Sequence, residues 1–415
     1  MRRFLLLFTG VVLVGILASI PAVVSGQPAE QVFSTNTPRP DPIVFVTNTQ
    51  PGPTSTPTNT ATATATNTPT PTMTFTPSPT PNGPYIYPDG VNPLTGILYP
   101  DEAARQRRNL IIKVSNYPPI VRPQTGVNRA DVVYEVEAEG GVTRFAAIFR
   151  SDIPDTVGPV RSARLLELEL VTMYNSLLAY SGASEPVQNL LLESDGVYQM
   201  FSPLKGDGCQ DSGFCRVPQE GVDFEHTLYL NPQTLYESAT RRNVNYGMRA
   251  RGFAFSENPD PDGMPIKDVY IEWYGQADAR WQYDETTGRY LRFTDGVPHL
   301  DAADGQQLWA DNLIIIEVPH VERPDLFPPG VDYWSLGIEL WGQGNAYLAR
   351  DGQFYQGGWR RLTTDPGNAL ELLYPDYTSM MMKPGRTWVS IVRGLSQTRI
   401  SEELTDTSIT TSGSN

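Results

Sequence analysis

The chain has 415 residues, with 46 Asp and Glu against 31 Lys and Arg, and its formal net charge at pH 7 is −15. This charge argues against nucleic acids and anionic membrane surfaces as partners. The three histidines, His226, His299 and His320, are too widely spaced for a metal-binding motif, and no nucleotide-binding fingerprint is present. We therefore expect no metal and no cofactor.

Residues 1–26 form an apolar segment behind two arginines, with the apolar run extending from Phe4 to about Val24. Such a segment is either a secretory signal peptide or an uncleaved transmembrane anchor, and we favour the anchor. Under both interpretations the rest of the chain is extracytoplasmic, membrane-anchored or secreted.

Residues 27–84 have the composition of a disordered stalk. No charged residue occurs between Pro42 and Pro88, where Thr, Pro, Asn and Ser predominate. A segment of this low-complexity kind cannot bury enough apolar surface to fold, and its prolines favour extended conformations. We expect it to space a folded body from the membrane.

Residues 85–255 alternate between predicted strands and helices, which indicates a mixed α/β first domain. The predicted strands are 110–114, 131–139, 176–180 and 227–230, and the predicted helices are 163–174, 185–194 and a helix capped by Asn231-Pro232 that ends near Arg242.

Residues 256–396 lose the helical period and predict a mostly antiparallel β domain. Its predicted strands are 269–274, 280–283, 290–293, 313–318, 335–340, 346–350, 354–361 and 388–392. The polar tail, residues 397–415, is predicted to be disordered. The whole chain is therefore expected to have an α+β fold.

The segment 122–164 concentrates charge around a predicted hairpin. If Glu139-Gly-Gly-Val142 were a two-residue turn, Glu137 would face Arg144 and Glu135 would face Ala146. Three glutamates, at 135, 137 and 139, would then share a face with Arg144. Val132, Tyr134 and Val136 would share the other face with Phe145 and Phe149.

Arg161 and Arg164 follow a Gly158-Pro159 loop, and Ser162 is predicted to cap the next helix. The arginines either neutralise the glutamate strand as a structural network or bind an anionic group such as a carboxylate or phosphate. The candidate ligand-binding residues are Arg122, Arg144, Arg161, Ser162 and Arg164.

An enzymatic alternative uses Glu135, Glu137 or His226 as acid or base. His226 lies at the start of a predicted strand, where a lone histidine is more often structural than catalytic. Cys209 and Cys215 flank five residues of loop-like composition and predict a local disulfide.

A series of motifs resembles the YerB-like family of bacterial lipoproteins, whose two halves are paired domains of unknown function. The motifs, in order, are PLTG, RPQTG, ADVVYE, EGGVTRF, GPVRSAR, HTLY, WQYDETTGRYLR, GVPHLDAADGQQL, ADNLII, RDG and PGRTWV, over about residues 92–395. The resemblance implies an envelope protein with a layered α/β first domain. It implies no enzymatic activity.

The chain departs from that family in two respects. Family members carry a cysteine for lipid attachment just after the signal, whereas here no cysteine precedes Cys209. We therefore expect an uncleaved N-terminal helix in place of a lipid, and the Thr/Pro stalk is an addition. The predicted function is a tethered binding module for an anionic cell-wall polymer or envelope protein. The alternative is a hydrolase or transferase acting on wall polymers.

Overall fold

The computed structural model describes residues 82–246, 250–273, 277–326 and 335–404, all within the compact unit Thr74–Asn415. The predicted anchor (1–26), most of the predicted stalk and residues 405–415 of the tail lie outside the described residues. The α-helices in these ranges are α1 Glu102–Gln106, α2 Leu166–Tyr174, α3 Glu185–Glu193, α4 Cys209–Ser212 and α5 Pro232–Arg241.

The strands fall in both halves of the sequence. Those of the first half are β1 Leu110–Ser115, β2 Val132–Ala138, β3 Val142–Phe149, β4 Leu177–Ala179, β5 Met200–Phe201, β6 Phe214–Arg216, β7 Leu228–Leu230 and β8 Ala254–Phe255. Those of the second half are β9 Met264–Pro265, β10 Asp268–Ile271, β11 Ala279–Asp284, β12 Arg289–Thr294, β13 Val297–Pro298, β14 Trp309–Ala310, β15 Asn312–Glu317, β16 His320–Arg323, β17 Ser335–Ile338, β18 Gly342–Arg350, β19 Gln353–Arg361, β20 Glu371–Leu373, β21 Met381–Met382, β22 Thr387–Val392 and β23 Thr398–Ser401.

A central sheet of 11 strands crosses from one half of the sequence to the other. Its order is β20-β19-β18-β15-β22-β2-β3-β1-β4-β5, with β9 added beside β19. The halves meet where β2 runs parallel to β22, and β22 in turn runs parallel to β15. Strands β2 and β22 are buried along their whole length, as expected of parallel strands covered on both faces.

The two faces of this central sheet pack against different layers. Helices α2 and α3 cover one face. Helix α5 and a second sheet, with strand order β13-β12-β11-β10-β23 and β14 beside β12, cover the other. Helix α5 begins as predicted, because the Asn231 side chain accepts the Thr234 N–H at 2.8 Å and Pro232 occupies the first turn. The fold is α+β, and the predicted strands of residues 256–396 are confirmed within a few residues.

The predicted hairpin register is wrong by one residue. Glu135 pairs with Phe145, Glu137 with Thr143 and Val136 with Arg144, so the connecting loop has three residues, Glu139, Gly140 and Gly141. Both glycines have positive φ, 84° and 70°, which suits them to this longer turn. Because side chains alternate along a strand, the shift moves Arg144 to the face opposite Glu135 and Glu137.

The same shift corrects the predicted apolar face. Tyr134 and Val136 pack in the core on the α2 side together with Ala146 and Ile148. Phe145 and Phe149, which were expected beside them, belong to the core on the other face of the sheet.

Three predicted boundaries also differ. Helix α2 starts at Leu166 instead of residue 163, and Ser162 does not cap it. Asn82, assigned to the stalk, exchanges backbone hydrogen bonds with Phe255 at 3.0 and 2.7 Å. Strand β23, assigned to the disordered tail, pairs with β10 and so completes the second sheet.

Candidate functional site

Each glutamate of the predicted acidic strand has an arginine partner of its own. Glu135 contacts Arg292 at 2.8 Å, and Glu137 accepts two hydrogen bonds from Arg393 at 2.8 and 2.9 Å. Glu139 is paired with Arg164. The three carboxylates are therefore separately neutralised, and two of the three partners come from the second half of the chain.

The Glu135 pair lies at the centre of a buried polar network between the two sheets. Both Glu135 and Arg292 are fully buried. Glu135 also accepts hydrogen bonds from Trp388 Nε1 at 3.1 Å and Thr143 Oγ1 at 3.0 Å. Burial lowers the pKa of Arg292, while the adjacent Glu135 opposes that shift. This network holds β12 of the second sheet against β2 of the central sheet.

His299 joins this network as a neutral imidazole. Its Nε2 is 2.6 Å from Gln124 Oε1, and the Arg292 guanidinium contacts its Nδ1. Since the guanidinium can only donate, Nδ1 accepts and Nε2 donates to the amide oxygen. Burial and the charge of Arg292 hold the pKa of His299 well below its usual range.

Arg122 belongs to this network and not to the other predicted ligand-binding arginines. Its Nε donates to Asn116 O at 3.0 Å, and its Nη1 pairs with Asp295. Asn116 in turn donates to Thr143 at 2.7 Å, on the Glu135 side of the sheet.

A second group of charges lies on the α2 face, near the carboxyl end of β1. We call it the arginine cluster, and it consists of Lys113, Arg144, Arg161 and Arg164. Lys113 pairs with Glu167 at 2.6 Å, with both side chains fully buried. Arg161 pairs with Glu225 at 2.8 Å, and Arg164 with Glu139.

Arg144 is the member of the arginine cluster that makes no ion pair within the described residues. It is only 9% exposed, and its Nη1 donates to the Ser162 carbonyl at 3.2 Å. Burial and then the charge of Arg164 hold the pKa of Arg144 well below its usual range, while the charge of Glu139 opposes this shift. Four cations thus face three paired carboxylates, and one positive charge is left uncompensated.

His226 borders the arginine cluster. Its Nε2 lies 3.3 Å from Glu225 Oε1, and its buried Nδ1 has no hydrogen-bond partner among the described residues. Burial, followed by the charge of Arg161, lowers the pKa of His226, so the ring is neutral near pH 7. The Nε of Arg161 is likewise buried without a partner.

The structure therefore divides the predicted site residues among three places. Arg144, Arg161, Ser162, Arg164 and His226 come together at the arginine cluster. Glu135 and Arg122 lie in the buried network on the opposite face, and Glu137 pairs with Arg393 elsewhere.

Sequence reasoning missed Arg292, Arg393, Lys113 and Glu167. Arg292 and Arg393 are 157 and 256 residues from their glutamate partners, and no local pattern links such distant positions. Lys113 and Glu167 did carry a signal, because each is a charge inside an otherwise apolar segment.

The sequence also predicted a disulfide, no metal site and an N-terminal membrane anchor. Cys209 and Cys215 form the predicted disulfide, with their Cα atoms 4.5 Å apart. In the part of the chain that the structure describes, no three His, Cys, Asp or Glu side chains are grouped so that they could hold a metal ion. No helix in that part is long and apolar enough to cross a membrane, and the apolar segment 4–24 lies outside it.

Comparisons with known proteins agree with this architecture. The model "Protein of unknown function (DUF3048) N-terminal domain" matches residues 94–245, and its C-terminal counterpart matches residues 269–389. The chain is 27% identical over 316 residues to "Putative lipoprotein YerB" of Bacillus subtilis (strain 168), covering 75% of this chain and 88% of that protein.

A solved structure is similar as well. The crystal structure of the YerB protein from Bacillus subtilis matches with a TM-score of 0.64 at 28% identity, covering 75% of this chain and 99% of that one. Both halves of the family are present in order, and the solved relative shares the fold. The chain belongs to the YerB-like DUF3048 family.

Proposed function

We propose that this protein is an extracytoplasmic, tethered binding module that recognises an anionic group of a cell-wall polymer or envelope protein at the arginine cluster. The envelope location is supported by the relative named as a lipoprotein and by the apolar N-terminal segment. The burial of Arg144 without an ion pair among the described residues carries the binding proposal.

A buried guanidinium without a carboxylate partner is unfavourable, because burial removes its hydration and like charges nearby repel it. Arg144 has both disadvantages, since it is buried and is repelled by Arg164 and Arg161. A bound carboxylate or phosphate would supply the missing negative charge and accept hydrogen bonds from the planar donors of arginine.

The arginines that flank Arg144 are partly exposed to solvent. The side chains of Arg161 and Arg164 are 16% and 19% exposed, and that of Glu225 is 57% exposed. The Arg161–Glu225 pair is therefore a surface contact of small net stability, which a ligand anion can displace. Ser162 lies beside these arginines through its carbonyl, which accepts from Arg144.

The enzymatic alternative has less support. An acid or base must reach a substrate, but Glu135 is fully buried in its contact with Arg292, and Glu137 is held by two hydrogen bonds from Arg393. His226 is also buried, and its Nε2 faces Glu225.

Inorganic phosphate provides a direct test through its effect on the melting temperature. A ligand that binds only the folded state stabilises it by about 1.4 kcal/mol at ten times its Kd, which is roughly 2 °C for a body of this size. We expect phosphate to raise the melting temperature of the wild type above that in sodium chloride of equal ionic strength. Arg144→Gln should abolish this rise without lowering the melting temperature measured in chloride.

Arg399→Gln is the matched control, because Arg399 is 70% exposed in β23 and pairs with Glu272 on the second sheet. It should keep the phosphate response. Equal phosphate shifts in the wild type and Arg144→Gln would contradict the proposal.

A further inference from the structure

A second candidate site lies at the opposite, amino end of the parallel strands. A cleft of about 840 Å³ opens there between residues of the two sequence halves. We call it the amino-end cleft. Its volume is within the range of small-molecule sites, roughly 300 to 1,000 Å³.

Strand register places three charged residues side by side in the floor of the amino-end cleft. Asp131, Arg386 and Asp311 immediately precede Val132, Thr387 and Asn312, which are directly paired across β2, β22 and β15. Neighbouring strands are about 4.8 Å apart, so the floor alternates negative, positive and negative over two strand spacings.

The cleft as a whole has an excess of negative charge. Five aspartates and three arginines line it, which leaves a net charge of −2. The arginines already have partners. Arg129 pairs with Asp152 at 2.6 Å, Arg289 stacks 3.6 Å from the centre of the Trp309 ring, and Arg386 donates to Asn128 Oδ1 at 2.8 Å.

Asp311 is the carboxylate of the amino-end cleft that we consider able to accept a further hydrogen bond. It is 8% exposed, and its Oδ2 accepts the Arg386 N–H at 2.8 Å. Its Oδ1 makes two long ion pairs, with Arg289 and Lys383 at 3.9 Å each, and accepts no hydrogen bond from the described residues. Lys383 is engaged elsewhere, with Asp351 at 3.0 Å. Burial raises the pKa of Asp311, as expected when a carboxylate lacks a close cation.

The wall beside these charges is apolar. Ile97 and Leu98 are 49% and 65% exposed, and both line the cleft with Trp309. Exposed apolar side chains next to a buried carboxylate suit a ligand with an alkyl chain that ends in a cation.

We propose that the amino-end cleft binds a primary alkylammonium group, with the ammonium at Asp311 and the alkyl chain along Ile97, Leu98 and Trp309. An ammonium brings three N–H donors, one of which can meet Asp311 Oδ1 without displacing the paired arginines, and the net charge of the cleft favours a cation. The chemistry is that of a lysine-type side chain, carried by a peptide or present in a free diamine. This site does not depend on the arginine cluster, which lies at the other end of the sheet.

Calorimetric titration of the full chain with pentylamine tests the proposal, with 1-pentanol as the uncharged probe of equal length. We expect binding of pentylamine and none of pentanol. Asp311→Asn should weaken pentylamine binding at least tenfold, while Asp376→Asn, a substitution at an exposed carboxylate outside the cleft, should leave it unchanged. Equal affinity of Asp311→Asn and wild type, or equal binding of pentanol, would overturn the proposal.

If Asp311→Asn fails to fold, Asp304→Lys provides a second measurement of pentylamine binding. Asp304 lies on the exposed rim of the cleft, so Asp304→Lys should fold and should weaken pentylamine binding severalfold through charge repulsion. Unchanged affinity would count against the site. Tighter binding of an acetylated lysine amide than of 1,5-diaminopentane would assign the ligand to a peptide side chain, and the reverse order would assign it to a free diamine.

Discussion

At the scale of single residues, four buried charges of the described chain contrast in their partners. Lys113 and Arg292 each face a fully buried glutamate. Arg144 and Asp311 are almost as buried but have no partner of opposite charge within hydrogen-bonding distance among the described residues. Lys113 and Arg292 form structural pairs, whereas Arg144 and Asp311 are our candidates for ligand contacts.

His299 gives a prediction for pH. Its pKa is lowered from the usual 6.5. Below pH 6.5 this histidine therefore binds a proton in the unfolded chain but stays neutral in the folded protein. This term is absent above the unfolded pKa of about 6.5 and destabilises the fold increasingly as the pH falls below it. At pH 5.5 it reaches at most about 1.4 kcal/mol.

The measurement is the free energy of unfolding in urea at pH 7.5 and pH 5.5, for wild type and His299→Gln. We expect the loss between these pH values to be about 1 kcal/mol smaller in the variant, which cannot take up the proton. The same loss in both proteins would show that His299 titrates normally in the fold.

At the scale of elements, the β2–β3 hairpin shows where sequence reasoning succeeds and fails. Alternation of residue type located β2, and the Gly-Gly pair located the turn that leads into β3. The sequence did not distinguish a two-residue from a three-residue turn, because Glu139 could end the strand or begin the loop. That single position decided which face Arg144 occupies.

The same limit applies to the partners of the glutamates. The acidic strand was recognised from the sequence, but its arginine partners were not. Arg292 lies in β12 and Arg393 follows β22, and only the packing of these distant elements brings them to the glutamates. The disulfide could be predicted because only six positions separate its cysteines. Local patterns therefore predicted elements, and tertiary packing determined the charge pairs.

We expect a large loss of stability when the Glu135–Arg292 pair between β2 and β12 is broken. Glu135→Ala would leave Arg292 buried without a counter-charge, which typically costs about 3–5 kcal/mol. The measurement is the urea midpoint at pH 7.5. Glu225→Ala, at a carboxylate that is 57% exposed, is the matched control and should cost less than about 1 kcal/mol. Similar losses for both would contradict a structural role specific to Glu135.

At the scale of the whole molecule, the two sequence halves share one sheet. The predicted boundary between residues 85–255 and 256–396 follows the change in periodicity, and the family models place their two matches on either side of it. Nevertheless β2 pairs with β22 along five positions, so neither half completes the central sheet by itself. Sequence patterns do not reveal such pairing, since parallel partners give no local signal.

This arrangement also separates the two candidate sites. The arginine cluster lies near the carboxyl end of β1, and the amino-end cleft lies before β2, β22 and β15. Since β1 and β2 both run antiparallel to β3, the two sites occupy opposite ends of one sheet. Variants at one site are therefore expected to leave binding at the other unchanged.

Binding to isolated cell-wall sacculi tests the central claim most directly. The purified protein is mixed with sacculi and sedimented, and the protein in the pellet is measured for wild type, Arg144→Gln and Arg399→Gln at low and high salt. We expect wild type and Arg399→Gln to be retained, more strongly at low salt, and Arg144→Gln to stay in the supernatant. Retention of Arg144→Gln equal to wild type would contradict anion recognition at the arginine cluster.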